Sequence, residues 1–436
     1  MRLPREPLSF ATVKEQRPPA NVHVAEAARR GTPARWKIFL AVLGPGLVVM
    51  LADTDVGSIV TAGQSGVRWG YKLLLLQFVL MPVVYVVQEL TVRLGIFTGK
   101  GHCELIRERF GPVWAWISVT GLGVAAAGAL LTEFSGVAGV GELFGVSRII
   151  SLALATGFLL VLVWTGSYRR VERIALAVGL LELVFLWIAY KAHPHGGELV
   201  AGLIHAPMGN REYLHLVAAN IGAVIMPWMI FYQQSAVAEK RLPPEQYTNS
   251  RWDTAMGAVV TQVVMAAVLV AAAATVGKVN PNGSLNTVGE MSDALTPFLG
   301  PQMGRLIFSL GILGAGLVAA IVVSLAVAWG FGEVTGYKHS LGLRPAEAPW
   351  FYAVYSAGVV GGAALVAVAP NLVTLSVRVE VMNALLLPLV LGFLVALAIT
   401  ALPAEHRLRG TYLWTVVAVS VLTTGLGVYS ALSGGW

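Results

Sequence analysis

The sequence predicts an all-α, polytopic membrane protein with eleven membrane-spanning helices, and three observations carry that expectation. Of 436 residues, 56% are hydrophobic and only 12% are charged, with a mean hydropathy of +0.72. A soluble globular domain carries about 25% charged residues. Eleven apolar stretches each approach the roughly 20 residues that cross a bilayer as helix. Two of them, the first and the sixth, are interrupted in mid-run, which is the sequence sign of two inverted five-helix repeats.

Residues 1–36 are polar, proline-containing and basic, with Arg2, Arg5, Lys14, Arg17, Arg29, Arg30 and Arg35. No apolar run follows the first basic residues, so the segment does not read as a secretory signal peptide. It reads as a disordered cytoplasmic tail whose charge fixes orientation; contact with anionic lipid is the alternative role.

The eleven expected spans are about 37–65, 73–97, 113–138, 147–165, 173–192, 214–237, 252–276, 306–332, 350–369, 379–401 and 411–432. They make one transporter-like domain over 37–432, with repeat one at about 37–192, repeat two at about 214–401 and an extra helix at 411–432. Loops after the even-numbered spans carry Lys100, Arg107 and Arg109, then Arg169, Arg170 and Arg173, Lys240, Arg241 and Arg251, Lys338 and Arg344, and Arg407 and Arg409. The other loops are poorer in Lys and Arg. The positive-inside rule then places the N-terminus in the cytoplasm and, with eleven spans, the C-terminus outside. Segment 277–305, containing Asn280-Pro281-Asn282-Gly283, is the longest outer loop and is expected to be partly helical and peripheral. The glycines and alanines of the third span, such as Gly121, Gly123 and Gly128, read as close helix packing.

The single cysteine, Cys103, excludes an internal disulfide and any multi-cysteine metal centre. CxxC, P-loop and HExxH patterns are missing, and no triad can be argued from spacing. The chain is therefore not expected to be an enzyme, to hold a prosthetic group, to bind nucleic acid or to need an obligate protein partner. A bilayer is its expected surrounding.

Chemistry concentrates at the two interruptions. The first span reads Leu47-Val48-Val49-Met50-Leu51-Ala52-Asp53-Thr54-Asp55-Val56-Gly57-Ser58. A carboxylate at mid-bilayer costs roughly 2.5–3.5 kcal/mol on insertion scales, so Asp55 is expected to face a cavity or a cation. The break is expected at Asp55-Val56-Gly57-Ser58, where Gly57 lets the backbone open, freeing carbonyls. Asp53 lies two residues earlier, about 200° around a helix. It is either an outer ligand or access-path charge, or a hydrogen-bonded structural group. The sixth span reads Ala223-Val224-Ile225-Met226-Pro227-Trp228; Pro227 removes one hydrogen bond and clashes with the Ala223 carbonyl. A substrate is expected at the midplane between the two breaks.

These residues resemble the Nramp family of divalent-metal transporters over most of the membrane region. Gly44-Pro45-Gly46 followed by Asp55 resembles the family's GPG…DPGN first helix. Arg93-Leu94-Gly95-Ile96-Phe97-Thr98-Gly99-Lys100, Glu104 and Arg107-Glu108-Arg109-Phe110 resemble its second helix and following loop. Glu133-Phe134-Ser135-Gly136 and Gly222-Ala223-Val224-Ile225-Met226-Pro227 resemble its third- and sixth-helix signatures. The resemblance implies a LeuT-like fold with alternating access. It also implies a metal substrate held by Asp55, Ser58, Met226 and the Ala223 carbonyl.

The departures narrow the expectation. Val56 replaces the family's proline and Ser58 its asparagine, giving a shorter side chain and a roomier site. The family's MPH histidine is Trp228, a second histidine is Gln233, and a third-helix aspartate is Leu130. None of these titrates, whereas histidine does so near neutral pH. Glu133 remains and reads as a structural hydrogen-bonding group. The family's ninth-helix arginines are missing at Ala348-Pro349-Trp350-Phe351-Tyr352. This pattern resembles the branch of Nramp-related magnesium transporters. Mg²⁺ dehydrates reluctantly and uses one or two carboxylates, so the expected substrate is a largely hydrated Mg²⁺, with Mn²⁺ tolerated and no proton coupling, imported across the cell (cytoplasmic) membrane. Met226 argues the other way, because a thioether favours softer ions; water between the two resolves the conflict if Met226 only lines the pocket.

Other polar residues read as packing. Trp228 fills the space of the lost histidine; Gln233, Gln234 and Tyr232 line an inner exit or satisfy helix contacts. Glu89 and Arg93, four apart, pair on one face. Glu380 and Asn383 open the tenth span beside the ion path of the family. His193 and His195 read as solvated loop residues. Three rivals remain: a proton-coupled Mn²⁺/Fe²⁺ symporter, a sodium-coupled amino-acid carrier of the same architecture, and a non-transporting metal sensor.

Overall fold

A computed structural model describes residues 44–276, 285–368 and 373–434, and every regular element among them is helical. The basic tail, residues 280–283 and the last two residues lie outside that description. Among the described residues, each of the eleven expected spans falls on helix. The first is α1 (Pro45–Asp53) and α2 (Val56–Trp69), and the second is α3 (Leu74–Thr98). A short helix α4 (His102–Phe110) then leads to the third span, α5 (Pro112–Leu143), and the fourth, α6 (Arg148–Trp164). The fifth is α7 (Tyr168–Gly179) and α8 (Val184–Lys191), joined by a 3₁₀ turn at Leu180–Leu183. A peripheral helix α9 (Gly196–Ile204) precedes the sixth span, α10 (Arg211–Val224) and α11 (Pro227–Lys240). The seventh is α12 (Tyr247–Ala274), followed by α13 (Val288–Leu295). Spans eight to eleven are α14 (Pro301–Thr335), α15 (Pro349–Val368), α16 (Val373–Thr400) and α17 (Gly410–Gly434).

By length and composition, nine helical stretches among the described residues can cross a membrane. One of these, Val56–Thr98, holds both α2 and α3, while α6 is apolar but shorter at 17 residues.

Local chemistry sets the helix ends. Pro45, Pro112, Pro227 and Pro301 sit in the first turn of their helices, where the missing N–H costs nothing. Gly99 and Gly336 close α3 and α14 in the left-handed conformation. The start of α1 is held by a residue from another span: the Asp253 carboxylate accepts from the backbone N–H of Gly44 (3.2 Å), Gly46 (2.8 Å) and Leu47 (3.2 Å). Those are orphan donors of a helix N-terminus, and their capture docks α1 on α12.

Burial is uneven. The sixth span is enclosed almost throughout, whereas the fifth and eleventh present much of their surface outward. Spans three and eight pack along one another, and spans one, six, seven and ten gather around the two interruptions. The loop expected to be peripheral departs from expectation. Its described part includes α13, whose Met291 and Leu295 are fully buried. Thr275 donates to the Ala294 carbonyl at 2.6 Å and the Leu285 N–H donates to Gln64 at 2.9 Å, so this segment is seated on spans one and seven.

Candidate metal-ion site

The first span breaks at Thr54 and Asp55, at the leading edge of the break expected over residues 55–58. Asp55 has extended backbone (φ −73°, ψ 175°) and caps α2, its Oδ1 accepting from the Ser58 N–H at 2.7 Å. A carboxylate at an N-cap satisfies an orphan amide and meets the positive end of the helix dipole. Gly57 lies within the first turn of α2 and serves close approach. A Cβ there would fall on the Glu380 carboxylate of α16 and stand 3.4 Å from Asp55 Oδ1.

The sixth span breaks where expected. Ile225 and Met226 separate α10 from α11, and Pro227 opens the second half. The freed Ala223 carbonyl accepts a hydrogen bond from Ser58 Oγ at 3.0 Å. Gly222 is the contact point for α16: a Cβ there would collide with the Glu380 backbone carbonyl. Two glycines, one on each broken span, thus bring Glu380 to the junction.

All four residues expected at the metal lie at the interruptions. Asp55, Ser58 and Met226 are fully buried, as is Ala223 but for about 1%. Asp55 Oδ2 is buried without a hydrogen-bond partner, and so is Asn383 Oδ1; the Asn383 amide donates to Glu380 Oε2 at 2.9 Å. Unpaired buried carboxylate and amide oxygens want a cation or the hydrogens of water. Among the described residues no group of three or more His, Cys, Asp or Glu side chains is arranged to hold a metal ion.

The residues expected along the path have partners of their own. Glu133 accepts from the Val56 N–H at 3.2 Å and from Thr132 Oγ1 at 3.1 Å, placing its carboxylate against the start of α2. Asp53 Oδ2 accepts from Thr261 Oγ1 of α12 at 3.2 Å, while its Oδ1 has no partner. Gln233 accepts from Thr91 Oγ1 (3.0 Å) and donates to Thr254 Oγ1 (2.9 Å), tying the second, sixth and seventh spans together. Trp228 is fully buried and its indole N–H has no partner. Next to Gln233, Gln234 Oε1 accepts from His102 Nδ1 at 2.8 Å. His102 lies on α4 outside the spans, and burial pushes its imidazole down to about 4, so it stays neutral. Glu89 accepts from Arg93 at 2.8 Å and from Tyr412 at 2.8 Å, and also from Tyr247, which makes it a brace between three spans.

Two features go beyond the sequence reading. Glu380, expected to open the tenth span beside the ion path, lies inside α16 (Val373–Thr400) with its carboxylate against Gly57. Glu182, in the 3₁₀ turn of the fifth span, was overlooked, although a lone carboxylate in Leu180-Leu181-Glu182-Leu183 is the same signal that picked out Asp55.

Comparison with known proteins shows the family and the fold. A family model described as Nramp, natural resistance-associated macrophage protein-like, matches residues 46–433. The divalent metal cation transporter MntH of Yersinia enterocolitica is 30% identical over 308 residues, covering 68% of this chain and 74% of that protein. A crystal structure of the Eremococcus coleocola manganese transporter superposes with a TM-score of 0.74 at 20% identity, covering 92% of this chain and 87% of the other. The transporter MhsT bound to L-phenylalanine follows at 0.59 and 14% identity, covering 92% and 99%; these two likenesses establish the LeuT-like fold.

Proposed function

The chain belongs to the Nramp family, and from that premise we propose that it is a secondary transporter importing divalent metal ions, Mg²⁺ foremost with Mn²⁺ tolerated, across the cytoplasmic membrane. The carrying observation is the unpaired Asp55 Oδ2, buried where two interrupted spans meet, with Ser58 and Ala223 hydrogen-bonded to one another beside it. Carboxylate and neutral oxygens with no nitrogen ligand suit an ion that keeps much of its water. Ser58 supports this reading because its side chain is shorter than the asparagine of the resembled family and leaves room for water.

Transport without proton coupling follows from the residues beside the site. Trp228, Gln233 and Leu130 stand where the resembled family carries titratable groups, and none of them exchanges a proton near neutral pH. The driving force is then the ion gradient and the membrane potential, worth about 2.3 kcal/mol per charge at 100 mV. In this reading residues 1–36 form a cytoplasmic tail, the spans divide into repeats at about 37–192 and 214–401, and the C-terminus is extracellular. The even-numbered loops with their Lys and Arg residues support that orientation.

A second reading is proton-coupled Mn²⁺ or Fe²⁺ uptake. Met226 favours it, since a thioether prefers softer ions, and the similar proteins are named for divalent metal and manganese transport. Reconstitution separates the two. With purified protein in liposomes, an inward Mg²⁺ gradient should give Mg²⁺ accumulation with no change in lumenal pH. Acidification that rises in step with metal uptake would establish the second reading.

A further inference from the structure

Behind the first-span break lies a second group of buried oxygens. Glu182, on the 3₁₀ turn of the fifth span, is fully buried, and neither carboxylate oxygen has a hydrogen-bond partner. The Thr54 side chain is the polar group that it faces, and Asp55 and Asp53 are the charges acting on it. Asp53 is also buried, and its Oδ1 is unpaired.

Two hydroxyl protons serve this group. Thr261 Oγ1 donates to Asp53 Oδ2 at 3.2 Å, and the Thr54 and Thr261 hydroxyls lie 2.8 Å apart. With one proton each, the two threonines cannot satisfy Asp53, Glu182 and one another at once, and both hydroxyl oxygens keep lone pairs for a ligand. Among the described residues no Lys or Arg pairs with either carboxyl group. Two such carboxyl groups with the hydroxyl oxygens make a donor set of hard oxygen atoms. Mg²⁺, Mn²⁺ and Ca²⁺ suit such a set, and no nitrogen or sulfur donor is present to favour a softer metal.

We propose that Glu182, Asp53, Thr54 and Thr261 form a second binding position for a hard divalent cation, on the face of the break turned toward α12 and the fifth span. Thr54 sits between Asp53 and Asp55, so one interruption of the chain serves both positions. Two divalent ions this close repel, and an ion arriving at one position loosens the hold on the other, as multi-site conduction requires. The second position is a relay stop for the transported ion. This proposal rests on the divalent-ion reading above, and its test keeps the two separable.

The test is anomalous scattering from crystals of the full chain soaked in Mn²⁺, for the wild type, Glu182→Gln and Thr261→Val. The wild type should show two Mn²⁺ peaks, one at Asp55 and one between Glu182 and Asp53. Glu182→Gln keeps side-chain volume and should lose the second peak while retaining the first; Thr261→Val should weaken the second peak. A wild-type peak at Asp55 alone, or a second peak untouched in Glu182→Gln, overturns the second position and leaves the transport reading standing. No peak at either place in the wild type overturns both.

Discussion

Ser58 donates its hydroxyl to the Ala223 carbonyl at 3.0 Å, so the two interrupted spans are fastened together at the point where each leaves the helix. That hydrogen bond commits the Ser58 proton to the sixth span, while its oxygen keeps lone pairs at the break. Asp55 is held ready by a single cap bond to the Ser58 N–H, which occupies one carboxylate oxygen and leaves the other unpaired.

Ser58→Asn should therefore change selectivity. The amide is longer, replaces water with a direct oxygen donor, and removes the hydroxyl bridge to Ala223. Competition between Mn²⁺ and Mg²⁺ in liposome uptake should shift toward Mn²⁺ by about tenfold, equivalent to ~1.4 kcal/mol. An unchanged ratio would mean that position 58 does not touch the ion or its water.

Gly57 lies just inside the second half of the first span, after the break at Thr54 and Asp55, and the absence of a side chain there admits Glu380. Gly57→Ala should cost on the order of 1–3 kcal/mol through overpacking, read as a fall in melting temperature. Shortening the colliding side chain in Gly57→Ala/Glu380→Ala should recover part of it. A fully tolerated Gly57→Ala would contradict the close approach.

Glu89 is a brace rather than a transport residue. Its carboxylate gathers Arg93, Tyr247 and Tyr412 from three spans. Removing it leaves a largely buried guanidinium uncompensated, which costs about 3–5 kcal/mol in comparable buried pairs. Glu89→Ala should lower thermal stability sharply while flux per folded molecule holds. Loss of flux at full stability would move Glu89 into the ion path.

His102 gives a pH dependence with a definite sign. Burial depresses its folded-state value to about 4 from the ordinary 6.5, so the unfolded chain binds the extra proton first. The stability contribution of the neutral imidazole is complete above pH 6.5 and is lost as pH falls from there to about 4. The total is on the order of 3 kcal/mol. His102→Gln should flatten the stability profile across that window relative to wild type. Identical slopes would contradict a neutral, enclosed imidazole.

What could be read ahead of the structure was whatever breaks a pattern. A charge inside an apolar run exposed Asp55, and a proline inside another exposed the Ala223–Pro227 break, since each violates the physics of a membrane helix. Pairing in three dimensions was not legible. Nothing in the first span says that Ser58 will find Ala223, and nothing in the tenth says that Glu380 will lie on Gly57; both depend on how four spans cross. Within the break expected over residues 55–58 the opening falls at the leading edge, because Asp55 caps the following half-helix with its own side chain. Glu182 was readable by the same rule as Asp55 and was missed among its leucines.

The most direct test of the central claim is Mg²⁺ uptake by liposomes holding equal amounts of folded wild type, Asp55→Asn and Asp55→Ala. If an unpaired carboxylate at the joined breaks holds the substrate, wild type accumulates Mg²⁺ and both variants fall to the level of protein-free vesicles. Uptake by Asp55→Ala at a rate near wild type would contradict it.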